Sequence, residues 1–132
     1  EQIPRTDVTY SFIATGLAVQ GNLDLLMSYF QEMKKDNVKP SSRMYEPILW
    51  HLVKKNHTKL FELFARMKQE GIQPSTNAYN AKLTALGLLG RKEDMKFNLE
   101  EMKSNGLMFN DVTNKLIEKY LMVRKFPQPQ RN

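Results

Sequence analysis

The sequence predicts an all-α protein: a right-handed α-solenoid of three helix-turn-helix repeats of 35, 34 and 35 residues, followed by a C-terminal capping helix. Two observations predict this fold class. A tyrosine, a Met-Lys pair and a proline each recur along the 132 residues at spacings of 34 or 35. Between these markers, apolar residues recur every three or four positions, which is the period of an amphipathic helix. The markers are Tyr10, Tyr45 and Tyr79; Met33, Met67 and Met102; and Pro40 and Pro74.

The apolar pattern places two helices in each repeat. In the first repeat, Ile13 and Leu17 share one helical face, Gly21 and the next residue break the run, and Phe30 and Met33 lie on the following helix. Proline cannot continue a helix and disfavours helix in the residue before it, so a short joint follows each second helix. The predicted helices are 8–19, 22–36, 43–54, 57–70, 77–88, 92–105 and a seventh over 111–125.

These helices divide the chain into consecutive parts. The second repeat lacks one residue in its inter-helix turn, which accounts for its length of 34. The seventh helix is apolar along Leu116, Ile117 and Tyr120, and we expect it either to cap the stack as half a repeat or to dock another chain. The predicted parts are an N-terminal extension (1–6), repeat 1 (7–41), repeat 2 (42–75), repeat 3 (76–110), the capping helix (111–125) and a disordered tail (126–132).

Composition narrows the class of function. Lysine and arginine number 20 against 14 acidic residues, and the formal net charge of +6 favours an anionic partner such as nucleic acid, although a solvated basic surface explains the same charge. The chain has no cysteine, and no carboxylate residues accompany His51 and His57 as further metal ligands. We therefore expect no metal and no other cofactor. Without a long apolar run, a phosphate loop or a nucleophile motif, we expect no membrane span, no small-molecule substrate and no enzyme activity.

The repeat resembles the pentatricopeptide repeat. The segment SRMYEPILWHLVKKNHTKLFELFARMKQEGIQPS (42–75) carries the Tyr near its start, Met-Lys in its second helix and Gly-Ile-x-Pro-Ser at its end. The segment 7–41 is a closer match, and the resemblance covers about residues 7–125. It implies single-stranded RNA binding inside mitochondria or chloroplasts, with one base per repeat read by two or three side chains.

The resemblance also implies site residues. Base reading would fall on the fifth and last residues of each repeat, and base packing on the second. Glu46 departs from the family pattern because a carboxylate repels the phosphate chain, and Lys115 departs from it in the partial fourth unit. The candidates are, for base reading, Ser11, Ser41, Glu46, Ser75, Asn80 and Asn110; for base packing, Val8, Arg43 and Asn77; and for phosphate contact, Lys54, Lys55, Lys59, Lys115, Lys119, Arg124 and Lys125.

The short array, the altered base-reading positions and the basic clusters favour an RNA- and protein-binding scaffold in organellar gene expression. The most concrete expectation is a subunit of a mitochondrial ribosome or similar ribonucleoprotein, with rRNA or mRNA and ribosomal proteins as partners. Two alternatives stay open: a fragment of a longer sequence-specific single-stranded RNA-binding factor for organellar transcript stability, processing or translation, and an adaptor that binds only proteins.

We expect a mitochondrial location, with the chloroplast as the alternative. Because the sequence opens on Glu1 rather than Met, we expect either a mature protein whose transit peptide has been removed or a piece of a longer protein.

The single tryptophan, Trp50, is expected to lie in the core or between repeats, with anchoring of a partner as the alternative.

Overall fold

The computed structural model of the protein describes residues 7–38 and 40–121. The predicted N-terminal extension, the tail and the end of the predicted seventh helix lie outside these residues. The first six helices agree with their predicted bounds to within one residue at each end. Within the described residues, none of the helices is long and apolar enough to span a membrane. The helices are α1 (Asp7–Val19), α2 (Leu23–Lys35), α3 (Ser42–Lys55), α4 (His57–Gln69), α5 (Thr76–Leu88), α6 (Lys92–Ser104) and α7 (Asp111–Leu116).

A left-handed turn ends the second helix of every repeat. The residue two positions after each of these helices has a positive φ: 63° at Asn37, 80° at Gly71 and 77° at Gly106. Asparagine tolerates this conformation better than other residues with a Cβ, which is why Asn37 replaces glycine here. At each turn, the next amide donates a hydrogen bond to the carbonyl of the recurring methionine. These bonds are Val38 to Met33 (2.8 Å), Ile72 to Met67 (2.9 Å) and Leu107 to Met102 (2.9 Å).

A single residue joins the two helices of repeat 2, and α3 has 14 residues where α1 and α5 have 13, so repeat 2 is one residue shorter than its neighbours. Asn56 ends α3 and begins α4, and its Oδ1 accepts a hydrogen bond from the amide of Lys59 at 3.1 Å. Repeats 1 and 3 use three-residue turns instead, in which Gly21 and Gly90 take positive φ. The shorter inter-helix turn predicted from the sequence is therefore confirmed.

The helices form two layers with the apolar core between them. α1, α3, α5 and α7 pack side by side as the inner layer, and α2, α4 and α6 cover it as the outer layer. The recurring tyrosine joins one repeat to the next: Tyr45 packs on Phe30 of the previous outer helix, with ring centroids 4.9 Å apart, and Tyr79 packs on Phe64 at 5.1 Å. The predicted all-α helical-repeat solenoid is confirmed.

Ion pairs tie neighbouring outer helices together. Lys34 of α2 pairs with Glu70 at the end of α4, and Lys68 of α4 pairs with Glu101 of α6 at 3.0 Å. The hydroxyl of Tyr79 donates to Glu101 at 2.8 Å, so this carboxylate joins all three helices α4, α5 and α6. Burial raises the pKa of Tyr79, and its hydrogen bond to the Glu101 carboxylate raises it further.

The seventh helix differs from its prediction. A single α-helix was expected over 111–125, but α7 ends at Leu116 and the chain continues as a π-helical turn, Ile117–Leu121. Tyr120 of this turn lies directly on the backbone of α5. A Cβ placed on Gly87 would lie 2.4 Å from Cδ2 and 2.6 Å from Cγ of the Tyr120 ring. Glycine at this position is therefore required for the C-terminal turn to pack.

Substituting Gly87 by alanine should destabilise the protein. The new methyl group collides with the Tyr120 ring, and overpacking of this kind costs about 1–3 kcal/mol of unfolding free energy. Chemical denaturation followed by circular dichroism measures the change. The matched control is Gly16→Ala on α1, where a Cβ meets nothing within 4 Å, and it should raise stability by about 0.5–1 kcal/mol. Equal stability of Gly87→Ala and the wild type would contradict the described packing.

Glu101 should make stability depend on pH in the acid range. Burial alone would raise its pKa, but the hydrogen bonds from Tyr79 and Lys68 outweigh burial and hold the pKa below its ordinary value. A carboxyl group with a lowered pKa stabilises the folded state above its unfolded pKa of about 4.3, and the stabilisation disappears as pH falls through the lower folded value.

The melting temperature of Glu101→Gln should therefore lie below that of the wild type at neutral pH, and the gap should close as the solution is acidified below about pH 4.3. The control is Glu100→Gln, which changes the exposed neighbour that only approaches Lys103, at 3.8 Å. A gap that stays constant from neutral to acid pH would show that the Glu101 carboxylate is not preferentially stabilised.

Candidate nucleic-acid interface

Repeat 2 brings its fifth and last residues, Glu46 and Ser75, into direct contact. The hydroxyl of Ser75 donates to Oε2 of Glu46 at 2.5 Å and accepts from the amide of Ala78 at 3.2 Å, so Ser75 also caps the N-terminus of α5. Asn77, in the first turn of α5, donates from Nδ2 to Oε1 of Glu46 at 2.9 Å. Each carboxylate oxygen of Glu46 thus accepts one hydrogen bond from the start of the next inner helix.

Trp50 extends this network by one turn along α3. Its indole Nε1 donates to Oδ1 of Asn77 at 3.2 Å, while its ring is partly buried against the core. The prediction that Trp50 packs between repeats is confirmed, because α3 belongs to repeat 2 and Asn77 to repeat 3. Asn77 binds both Trp50 and Glu46, so one side-chain amide fixes these two side chains relative to each other.

Repeat 3 also brings its fifth and last residues together, but in a buried position. Asn80 is fully buried, and its Nδ2 donates to Oδ1 of Asn110 at 3.0 Å. The hydroxyl of Thr113 lies 2.8 Å from Oδ1 of Asn80 and 3.0 Å from Oδ1 of Asn110, and donates to one of them at a time. Asn110 and Thr113 also form a capping box at the start of α7. The side-chain amide of Asn80 is therefore occupied by protein groups on both its oxygen and its nitrogen.

The remaining base-reading candidate whose side chain the structure describes is Ser41, which is exposed at the N-terminus of α3 and makes no capping hydrogen bond. The base-packing candidates Arg43 and Asn77 are exposed, and Asn77 belongs to the Glu46 network. The side chains of Val8 and Ser11 lie outside what the structure describes. The structure thus brings together two of the three candidate pairs, and their reading of bases stays a prediction.

The basic candidates differ in how open they are to solvent. Lys54 and Lys55 are exposed at the C-terminus of α3, and Lys115 and Lys119 are exposed on the C-terminal helix, whereas Lys59 is half-buried in the first turn of α4. The Lys119 ammonium also lies 5.3 Å from the centroid of the neighbouring Tyr120 ring. Arg124 and Lys125 lie outside the described residues. Lys54 and Lys55 therefore form the exposed cationic end of the inner helix that carries Glu46.

Two polar residues of the inner helices were not among the predicted site residues. Lys82 on α5 is half-buried, with its ammonium 4.5 Å from the centroid of the Phe64 ring; burial lowers its pKa, while Glu101 acts in the opposite direction. Thr113 completes the Asn80 network. Lys82 stands at the repeat position of Ile48, and Thr113 at that of Met44, and both of these equivalents in repeat 2 are buried apolar residues.

The repeats of this chain match a known protein family. The profile of the pentatricopeptide repeat domain matches residues 6–54 and 43–88, which together make up more than half of the chain. The chain belongs to the pentatricopeptide repeat family. The resemblance predicted from the sequence is thereby confirmed, and the networks around Glu46 and Asn80 belong to the inner layer of a pentatricopeptide repeat solenoid.

Solved pentatricopeptide repeat structures share this fold. The crystal structure of the pentatricopeptide repeat protein PPR10 from maize matches 89% of this chain with a TM-score of 0.69 and 26% identity. The structure of PPR10 in complex with an 18-nt psaJ RNA element matches 87% of it with a TM-score of 0.62 and 19% identity. This chain spans only 18% and 17% of the length of those two chains. A comparison with curated proteins found no match.

Replacing Thr113 by valine should destabilise this pentatricopeptide repeat chain. Valine keeps the shape of threonine but removes the hydroxyl that donates to the buried Oδ1 of Asn80, and an unsatisfied buried acceptor costs about 1–3 kcal/mol. The control is Thr84→Val, which removes only a local hydrogen bond to the backbone carbonyl of Asn80 and should change the unfolding free energy by less than about 0.5 kcal/mol. Urea denaturation compares the two, and equal losses would contradict the special role of Thr113.

Proposed function

We propose that this protein is an RNA- and protein-binding helical-repeat scaffold in organellar gene expression, and that it acts as a subunit of a mitochondrial ribosome or a similar ribonucleoprotein. The observation that carries the proposal is the full burial of Asn80, whose side chain bonds to Asn110 and Thr113. The side chain of Asn80 is therefore not exposed to a base. Contact with RNA is then made mainly by exposed cations such as Lys54 and Lys55, which suits the backbone of a structured RNA.

The energy that base stacking can supply is small compared with the cost of association, which favours a protein held in an assembly over a free RNA binder. Each stacked base contributes roughly 1–3 kcal/mol. Three repeats would supply about 3–9 kcal/mol, whereas association costs an estimated ~4–15 kcal/mol. A chain of this size therefore needs partner proteins that hold it in place. Binding to proteins and to RNA together is the arrangement of a ribonucleoprotein subunit.

RNA as a partner is supported by the related structure of PPR10, which is bound to an RNA element. The two share the helical-repeat fold, and in this chain the inner helices carry the polar networks and the exposed lysines. The positive formal charge of +6 favours the same class of partner.

A second candidate function is a part of a longer sequence-specific factor for organellar transcripts. The observation that favours it is length, because this chain spans only 18% of the maize protein that it resembles. In such a factor, further repeats would add base contacts until the association cost is exceeded.

Sedimentation of the tagged protein from purified mitochondria, with and without magnesium chelation, tests the proposal. A ribosomal subunit should sediment with a ribosomal particle and should shift when chelation separates the subunits. A protein that stays in the light fractions under both conditions would contradict the ribosomal assignment. Crosslinking to RNA in those light fractions would then favour the transcript factor, and absence of crosslinks would favour a protein-only adaptor.

A further inference from the structure

The outward face of α6 reverses the polarity pattern of α4. At two consecutive positions α4 carries Glu62, which is exposed, and Leu63, which is buried. The equivalent residues of α6 are Phe97, which is 66% exposed, and Asn98, which is buried. An aromatic ring thus faces solvent where α4 has a carboxylate, and an amide lies where α4 has a leucine. Exposure of one aromatic side chain is common on protein surfaces, but the surroundings of Phe97 are unusual as well.

Four carboxylates surround Phe97 on the surface of α6. They stand three and four residues before and after it, where a helix brings side chains next to one another. The side chains of Glu93, Asp94 and Glu100 are 89%, 48% and 61% exposed, and Glu101 is half-buried. In a chain whose formal net charge is +6, the surface around Phe97 is therefore locally acidic.

The two most exposed of these carboxylates are only loosely paired within the chain. Glu93 lies 3.4 Å and Glu100 3.8 Å from lysine ammonium groups of the same helix. Exposed pairs of this kind stabilise little, and a carboxylate has more acceptor sites than one lysine uses. Asp94 is held more closely, by Arg91 at 2.7 Å, and Glu101 joins α4, α5 and α6. Glu93 and Glu100 are therefore open to a cation of another molecule.

The other two outer helices do not offer such a face. Around Glu62, α4 carries two cations and no further acid, and around Ser28, α2 carries two acids, a leucine and a glutamine. The surrounding residues are, in α4, Thr58, Lys59, Ala65 and Arg66, and, in α2, Asp24, Leu25, Gln31 and Glu32. Among the outer helices that the structure describes, only α6 places an exposed aromatic ring at the centre of four carboxylates.

We propose that the outward face of α6 binds a basic segment of a partner protein, with an arginine of that segment stacked on Phe97; the inference rests on the protein-binding part of the proposed function. Charge complementarity selects a cationic occupant. The aromatic ring selects arginine over lysine, because a planar guanidinium stacks on an aromatic face and still donates several hydrogen bonds to carboxylates. Glu93 and Glu100 lie within one helical turn of the ring, on its two sides along the helix, and supply those acceptors.

This surface lies on the other layer from the proposed RNA contacts. Lys54 and Lys55 are exposed on the inner helix α3, whereas Phe97 and its carboxylates are exposed on the outer helix α6. The carboxylates repel phosphate groups and attract a basic segment. An RNA and a basic protein segment therefore bind to different surfaces of opposite charge, and one does not displace the other.

Fluorescence anisotropy with a short labelled peptide of alternating glycine and arginine, at low salt, tests the proposal. We expect this peptide to bind more tightly than its lysine counterpart and to weaken as salt is added. Phe97→Glu separates stacking from plain charge attraction. An added carboxylate would tighten a purely electrostatic contact, whereas loss of the ring should weaken binding at least ~5-fold. The control is Phe12→Glu, which makes the same change at a residue 83% exposed on α1 and should not weaken binding.

A second pair of variants tests the carboxylates. Glu93→Gln should weaken binding of the arginine peptide, because it removes an acceptor next to Phe97. Glu62→Gln removes the same charge from an exposed position on α4 and should leave the affinity unchanged. Circular dichroism verifies that every variant is folded. Phe97→Ala, which adds no charge to the acidic face, replaces Phe97→Glu if that variant fails to fold, and the same loss of affinity is expected.

The α6 surface and the proposed function fail in different ways. If the Phe97 variants bind the arginine peptide as tightly as the wild type, the α6 surface is overturned, while sedimentation of the wild type with a ribosomal particle still upholds the proposed function. If the wild type stays in the light fractions but binds the peptide through Phe97, the assembly is overturned and the α6 surface stands.

Two other occupants of the α6 surface would each overturn a protein partner. If the free protein forms a dimer in analytical ultracentrifugation and Phe97→Ala abolishes that dimer, the occupant is a second copy of this chain. If a labelled oligouridine loses affinity in Phe97→Ala, the occupant is RNA. We expect a monomer in both proteins and an unchanged affinity for oligouridine.

Discussion

The left-handed residue after each outer helix is the constraint on which the rest of the fold depends. At Asn37, Gly71 and Gly106 the chain leaves the outer layer, and the following amide bonds back to a buried methionine carbonyl. The turn is therefore attached to the core at a fixed point. Because the same turn occurs three times at nearly constant spacing, each inner helix begins at an equivalent place. This equivalence brings the last residue of one repeat next to its own fifth residue and the start of the next inner helix.

The same backbone plan yields two different chemical environments. At the start of α5, the Ser75 hydroxyl and the Asn77 side-chain amide donate hydrogen bonds to the half-buried Glu46 carboxylate. Asn77 also accepts a hydrogen bond from the indole of Trp50. At the start of α7, an asparagine and a threonine close over the fully buried Asn80. One joint is a half-buried polar network, and the other is a fully buried one that holds the C-terminal helix. Equivalent positions of the repeat thus differ in burial because their side chains differ.

Much of the fold could be predicted from the sequence because its signals are local. Proline, glycine and asparagine mark where helices must end, and an apolar residue every three or four positions marks the face that is buried, so six helices were placed to within one residue. The side-chain networks could not be predicted in this way. The bond between Glu46 and Asn77 and the packing of Tyr120 on Gly87 depend on how helices lie against each other. The spacing of apolar residues along the chain does not contain that information, and it did not predict the π-helical turn either.

The two layers differ in how they are held together, and this difference has a mechanical consequence. Inner helices contact one another along their lengths through close apolar packing, whereas the outer helices are joined mainly by partly exposed ion pairs such as Lys68 with Glu101. Apolar packing resists displacement, but exposed ion pairs are weak and are screened by salt. We therefore expect the outer helices to shift relative to one another at a lower energetic cost than the inner helices, whose spacing the apolar packing holds.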